Sequence, residues 1–278
     1  MRFTKMHGIG NDYIYFDCMK TPLENPEELA IKLSDRHKGV GGDGIVMILP
    51  SETADFRMRM FNADGSEGNM CGNATRCIGK FVYERGLTDK TELTLETRSG
   101  IKYLTLTVED GNVRSVTVDM GIAEFQPEKI PVLYDGPAMV DAPISVDGRF
   151  CRITAVSMGN PHCVLFTDEV SQLSLEQIGP SFENLSIFPD RVNTEFVHKI
   201  SDSVFEMRVW ERGSGETMAC GTGACAVAAA AVRLGLAKVN SDITIQLRGG
   251  DLHIVVCESG KVLMTGPAEF VFEGELIV

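Results

Sequence analysis

Glu211 to Ala231 reads ERGSGETMACGTGACAVAAAA. The charged pair Glu211 and Arg212 directly follows the β-like run FEMRVW, Phe205 to Trp210. A glycine-rich loop leads to Cys220-Gly221-Thr222-Gly223, and an alanine-rich run of strong helix propensity comes next. Gly235 stands where a glycine would close that helix. The local reading is strand, loop, cysteine, helix, with Cys220 at or just before the helix N-terminus. Backbone N–H groups without intrahelical partners, and the positive end of the helix dipole, stabilise a thiolate at such a place. The same N–H groups can hold an anionic group of a ligand.

A second copy lies upstream. Asn62 to Gly86 reads NADGSEGNMCGNATRCIGKFVYERG, after the β-like run Phe56 to Phe61 and with Gly86 as its closing glycine. The two cysteines, Cys71 and Cys220, are 220 − 71 = 149 positions apart. At that offset Glu67 meets Glu216, Gly72 meets Gly221, Gly86-Leu87 meets Gly235-Leu236 and Gly10-Asn11 meets Gly159-Asn160. Several features in register with no net gap point to two diverged copies of one α/β unit, each presenting a cysteine at a helix start.

Further motifs extend through nearly the whole chain: KMHGIGND (Lys5 to Asp12), FNADGSE (Phe61 to Glu67), CGNATRC (Cys71 to Cys77), MGNPH (Met158 to His162) and RVNTEF (Arg191 to Phe196). With ERGSGETMACGTGACA they resemble the diaminopimelate epimerase family. That family belongs to the cofactor-independent amino-acid racemases and epimerases, which include proline racemase. The resemblance implies an α/β (α+β) fold of two pseudo-symmetric domains, each a mostly antiparallel sheet or barrel wrapped round a central helix. The expected domains are 1–121 plus 266–278, carrying Cys71, and 122–265, carrying Cys220. The return of the last segment to the first domain rests on the resemblance alone.

The implied chemistry removes the weakly acidic Cα proton of an amino acid and replaces it from the other face. Two opposed thiols can do this without pyridoxal phosphate, one as thiolate base and the other as thiol acid. A repeated fold suits that task, because two equivalent side chains can then meet opposite faces of one carbon. Two nearby thiolates repel, so one partner stays protonated. The resemblance assigns Cys71 and Cys220 as the catalytic pair, with His162 and Glu211 tuning their ionisation. It assigns Asn11, Asn62, Asn160, Asn193, Glu211 and Arg212 to substrate binding. The helix-start groups Gly72, Asn73, Gly221 and Thr222 would meet the α-carboxylate and its developing charge. Arg212 offers a planar fork for a distal carboxylate, and Glu211 and the asparagines can accept from ammonium groups. Gly44 departs from the family pattern, where many relatives carry a substrate-contacting glutamine; its repeat equivalent is Asn193 (193 − 44 = 149).

Composition narrows the class. The net charge of −13 argues against nucleic acid or an anionic membrane as partner, since both need basic patches. No signal-peptide pattern opens the chain and no long uncharged apolar span occurs. A cytoplasmic protein is expected, and by resemblance a homodimer acting on a small molecule, diaminopimelate. Eight cysteines occur without any CxxC, so neither a structural zinc site nor a disulfide-exchange motif is indicated. No metal and no cofactor are expected. Apart from Cys71 and Cys220, the cysteines read as small buried hydrophobes.

A coarse pass along the chain predicts a turn at Gly8–Gly10 between two strands. It predicts a helix within Glu24 to His37 that buries Leu29, Ile31 and Leu33, and a hairpin turn at Gly111-Asn112. It also predicts a helix around Leu173 to Ile178 and strands at Ile243–Leu247, Leu252–Val256 and Lys261–Thr265.

Overall fold

Turn chemistry fixes the first hairpin. Strand β1 (Arg2–Gly8) pairs antiparallel with β2 (Asn11–Asp17), and Gly8 faces Asn11. The two residues between them, Ile9 and Gly10, have φ of 51° and 87°, the positive values that a tight two-residue hairpin turn needs. The computed structural model describes residues 1–277. It comprises two units, Met1–Asp119 with Thr265–Val278, and Met120–Met264.

After the hairpin the first unit continues through α1 (Pro26–Ser34), β3 (Gly44–Leu49), β4 (Phe56–Asn62), β5 (Glu67–Gly68) and α2 (Gly72–Glu84). Strands β6 (Glu92–Thr97), β7 (Gly100–Glu109) and β8 (Asn112–Ile122) follow. The second unit repeats this order after β9 (Ala142–Val146). It runs β10 (Arg149–Ser157), β11 (Pro161–Phe166), α3 (Leu175–Glu183), β12 (Asn193–Lys199), β13 (Val204–Glu211), β14 (Gly215–Glu216), α4 (Gly221–Arg233), β15 (Asp242–Leu247), β16 (Gly250–Val256) and β17 (Lys261–Gly266). Strand β18 (Glu269–Glu275) then pairs antiparallel with β1.

The pairing alternates in the same way in both units. In the first, the order is β18-β1-β2-β3-β4-β6-β7-β8, antiparallel except for the parallel pairs β2–β3 and β4–β6. In the second, β9-β10-β11-β12-β13-β15-β16 is antiparallel except for β11–β12 and β13–β15. Short strands β5 and β14 close hairpins on the ends of β4 and β13. The fold is therefore mixed α/β and dominated by sheet, as expected, with two parallel pairs in each unit.

The second helix of each unit is its core. Helix α2 is buried from Gly72 to Val82, and α4 from Gly221 to Ala231 with Thr222 alone partly exposed. Strands β10, β11, β12, β15 and β16 all pack against α4. A helix enclosed on every side leaves little room for side chains, which explains the run of buried alanines Ala228–Ala231. In α2 the same demand falls on Gly79. A Cβ there would lie 2.9 Å from Leu106 Cδ2, 3.2 Å from Leu104 Cδ2 and 3.3 Å from Val116 Cγ1. Outside α2 and α4, Ile14, Phe16, Ile45 and Phe61 pack together in the first unit, and Ile153, Cys163, Phe182 and Phe196 in the second. Each such side chain contributes roughly 1.5–3 kcal/mol by leaving water.

Several local expectations are corrected. Helix α1 buries Ala30 and Leu33 but leaves Ile31 exposed. It begins only at Pro26, which needs no N–H donor in a first turn. The β7–β8 turn is Asp110-Gly111, not Gly111-Asn112, because Asn112 already pairs with Glu109 and both turn residues take positive φ. Helix α3 begins two residues inside the expected span and runs on to Glu183, with Pro180 inside it. Cys151 and Cys257 are partly exposed rather than buried. Burial pushes the thiols of Cys18 and Cys77 up to about 11 and about 12. No helix among the described residues is long and apolar enough to cross a membrane.

The tight fit at Gly79 carries a test. Gly79→Leu should destabilise the protein by about 1–3 kcal/mol through overpacking, read as a lower urea midpoint at unchanged slope. An unchanged midpoint would show that the space round α2 is looser than described.

Candidate active site

Both candidate cysteines are helix N-caps. Cys71 precedes α2 with φ −133° and ψ 120°, and Cys220 precedes α4 with φ −121° and ψ 104°. Extended backbone at that position lets a side chain reach the first helical N–H groups; Cys71 makes no such bond, and Cys220 does. Cys220 Sγ accepts from Gly223 N at 3.3 Å, so the sulfur serves as the cap.

In the first unit Asn11 is the hub. Its Oδ1 accepts from Cys71 Sγ at 3.3 Å and from Asn73 Nδ2 at 3.2 Å. Its Nδ2 donates to Asp43 Oδ2 at 2.7 Å, which fixes the amide's direction. Asp43 also accepts from Asp12 N at 3.1 Å and from Arg36 Nη2 at 3.0 Å. Burial, followed by the neighbouring Asp12 carboxylate, raises the pKa of Asp43. Burial also acts upward on Asp12, but hydrogen bonds from Arg36 and Lys5 outweigh it and hold that carboxyl low. Asn73 Oδ1 accepts from Arg76 Nη2 at 3.0 Å, and Arg76 is wholly buried. The structure therefore brings Asn11, Cys71, Gly72 and Asn73 together. Asn62 turns to its own hairpin and donates to Ser66 Oγ at 3.0 Å. Gly44 has a steric reason for lacking a side chain, since a Cβ there would fall 2.0 Å from Phe61 O.

The second unit is built differently on the same frame. His162, fully buried on β11, meets Glu195 Oε1 through Nδ1 at 2.6 Å and Asn160 Oδ1 through Nε2 at 3.1 Å. Asn160 Nδ2 reaches Thr222 Oγ1 at 3.4 Å, and that hydroxyl lies 3.5 Å from Cys220 Sγ. Glu211 at the end of β13 accepts from Thr217 Oγ1. Burial raises the Glu211 carboxyl above its ordinary value, against the pull of its hydrogen bonds with Thr217 and Cys220. Cys220 is held well above the ordinary thiol value by burial and by the carboxylates of Glu211 and Glu195, more than its hydrogen bonds offset. The helix start alone suggests an easily ionised thiol; here burial and two carboxylates prevail. Asn160, His162, Glu211, Cys220 and Thr222 are thus assembled round one sulfur. Asn193 and Arg212 form a neighbouring pair, with Arg212 N donating to Asn193 Oδ1 at 2.8 Å and Arg212 Nη1 to Asp190 O at 2.9 Å.

Four residues here escape the sequence reading. Asp43 and Glu195 hold Asn11 and His162 respectively, and Thr217 holds Glu211. Glu183 anchors the turn after Glu211, accepting from Trp210 Nε1 at 2.8 Å, Gly213 N at 2.9 Å and Arg191 Nη1 at 2.9 Å. Glu195 carries no local signal, since β12 reads NTEFVHK and its partner His162 lies on another strand. Among the described residues no group of three His, Cys, Asp or Glu side chains converges to hold a metal.

Solved structures define the fold class. A hydroxyproline epimerase from Agrobacterium vitis matches with a TM-score of 0.70 at 17% identity, over 99% of this chain and 90% of that one. A phenazine biosynthesis protein of the PhzF family from Bacillus anthracis also matches at 0.70, with 18% identity over 100% and 99% of the two chains. At such identities the likeness speaks for the fold alone, an epimerase-like α/β architecture. Sequence goes further. The diaminopimelate epimerase family model matches residues 3–126 and 154–271. A diaminopimelate epimerase of Acetivibrio thermocellus is 54% identical over 99% of this chain and 98% of its own length. One from Methanococcus maripaludis is 53% identical over 99% of both chains. The chain belongs to the diaminopimelate epimerase family.

The role of Glu183 is open to measurement. Glu183→Ala should take the acceptor from the part-buried Trp210 Nε1–H and cost about 0.5–1.5 kcal/mol of stability, seen as a lower Tm. It should also loosen the turn carrying Arg212, which limited proteolysis within 211–215 would detect. Unchanged Tm and cleavage would remove Glu183 from that duty.

Proposed function

We propose that this protein converts LL-2,6-diaminopimelate to the meso isomer without a cofactor, as a step toward lysine and peptidoglycan precursors. Cys71 and Cys220 act as a thiolate/thiol acid–base pair. The observation that carries the reading is family membership over most of the chain, joined to a cysteine N-cap on each of the two buried helices. One thiolate takes the α-proton and the other thiol returns a proton from the opposite face; the roles exchange with substrate handedness. The high resting pKa of Cys220 suits it to wait as the donor. The N–H groups following each cysteine are suited to the charge that grows on the α-carboxylate as the carbanion forms. Asn11, Asn62, Asn160, Asn193 and Glu211 accept from ammonium groups, while the Arg212 fork takes the distal carboxylate. His162 and Glu211 tune the thiols. A homodimer in the cytoplasm completes the reading by resemblance to the family; sedimentation at the mass of a single chain would refute the pairing.

Cys71→Ala and Cys220→Ala should each lower turnover by roughly 10²–10⁴-fold, with circular dichroism unchanged. Wild-type protein should incorporate solvent deuterium at Cα of diaminopimelate. Dialysis against a chelator and hydroxylamine should leave that activity intact. Near-normal turnover in either variant removes that cysteine from the mechanism. Activity restored only by pyridoxal phosphate or a metal rejects the cofactor-free reaction.

A further inference from the structure

The two units share a frame but differ behind the sulfur. At the repeat offset, His162 corresponds to Tyr13 (162 − 149), Glu195 to Val46 (195 − 149) and Gly223 to Ala74 (223 − 149). A fully buried carboxylate and imidazole thus stand in the second unit where the first has a phenol and an isopropyl group.

The position of Glu195 is specific. It is wholly buried on β12, its Oε1 lies 2.6 Å from His162 Nδ1, and its Oε2 has no hydrogen-bond partner. A half-satisfied buried carboxylate is costly and is seldom kept for stability alone. Glu195 also sets the identity of its neighbour on α4. A Cβ on Gly223 would lie 2.7 Å from Glu195 Oε1 and 3.2 Å from Cys220 Sγ. Carboxylate and sulfur flank one glycine, with no room for a methyl group. In the first unit, where Val46 replaces the carboxylate, Ala74 has its methyl.

From this arrangement we propose that Glu195 is a positioning residue for the reaction, acting on Cys220 through His162 and across Gly223 so that this thiol rests protonated. The route through His162 runs from Glu195 to the ring, from the ring to Asn160, from Asn160 to Thr222, and from Thr222 to the sulfur. The titratable groups acting on Cys220 are Glu211 from β13 and Glu195 from β12; His162 from β11 acts in turn on Glu211. The first unit has Val46 and Asn62 at the positions of Glu195 and Glu211, so the surroundings of Cys220 carry carboxylates that those positions near Cys71 do not. This inference rests on Cys220 being an acid–base group, as proposed above.

The test is the pH dependence of Cys220 alkylation by iodoacetamide in the full-length protein without substrate, followed by peptide mass spectrometry. A like charge within a few Å raises a pKa by roughly 1–3 units. Glu195→Gln should therefore move the Cys220 midpoint to lower pH by about one unit or more. The alkaline limb of kcat should move the same way. A purely structural Glu195 would change the folded fraction but not the midpoint. Should Glu195→Gln fold poorly, the double variant Glu195→Val with Gly223→Ala reproduces the first unit's pair and should shift the midpoint likewise. An unchanged midpoint in folded variant protein overturns the proposal. Absence of turnover with diaminopimelate in the unmodified protein would instead overturn the substrate reading, and the alkylation result would stand by itself.

Discussion

A buried helix must have its first N–H groups answered, and that constraint organises each unit. Helices α2 and α4 are enclosed for most of their length, so water cannot serve most of their polar groups. In the second unit the chain answers at the N-cap with a cysteine, a residue that tolerates burial as a hydrophobe and still offers a sulfur to the backbone; Cys71 stands at the same place on α2 but gives its thiol to Asn11 and makes no side-chain cap bond. At Cys220 the contact is explicit, with Gly223 N donating to Sγ. Structural need and chemical opportunity coincide, because the donors that require an acceptor are also those that would steady an anion.

Around this shared constraint the two units keep their scaffold and vary their chemistry. Arg59 bonds Glu67 through Nε at 2.7 Å, and its repeat equivalent Arg208 bonds Glu216 through Nε at 2.8 Å. Each ion pair pins the small hairpin at the end of a strand, β4–β5 or β13–β14. The residue presented at that strand end differs, Asn62 in one and Glu211 in the other. The same division recurs nearer the sulfurs. Asn11 and Asn160 occupy matching positions, yet Asn11 is tied to Asp43 and turns its oxygen to Cys71, whereas Asn160 is shared between His162 and Thr222. Geometry is repeated and the partners of the sulfurs are not.

The fold was legible where one residue type forces local geometry. The alanine run, the closing glycines and the preceding β-like strands locate α2 and α4, because each signal depends on neighbours in the chain. Legibility fails where a distant neighbour decides. Ile31 has the apolar character of a core residue, but α1 is only nine residues long and buries Ala30 and Leu33 instead. Asp110-Gly111 is the turn because the register of β7 on β8 places it there. Among the site residues, Asn11, Cys71, Asn73, Asn160, His162, Glu211 and Cys220 stand in recognisable motifs, and the structure gathers them about two sulfurs. Asp43, Glu195 and Glu183 were not legible, since each acts on a partner many residues away. The empty place at Gly44 likewise depends on Phe61 O, a carbonyl on the adjacent strand.

The fit of Gly223 against Glu195 limits the order in which such a chain could have diverged from its twin. Between a valine–alanine pair like Val46 and Ala74 and the glutamate–glycine pair stand two single replacements. Introducing the carboxylate first would drive an oxygen against a methyl at about the 2.7 Å seen for a Cβ on Gly223, inside a core too dense to yield cheaply. Removing the methyl first opens a small void and costs a little helix propensity, which a folded protein can survive. The accessible path therefore passes through a glycine whose use came later, and reversal must retrace the same step.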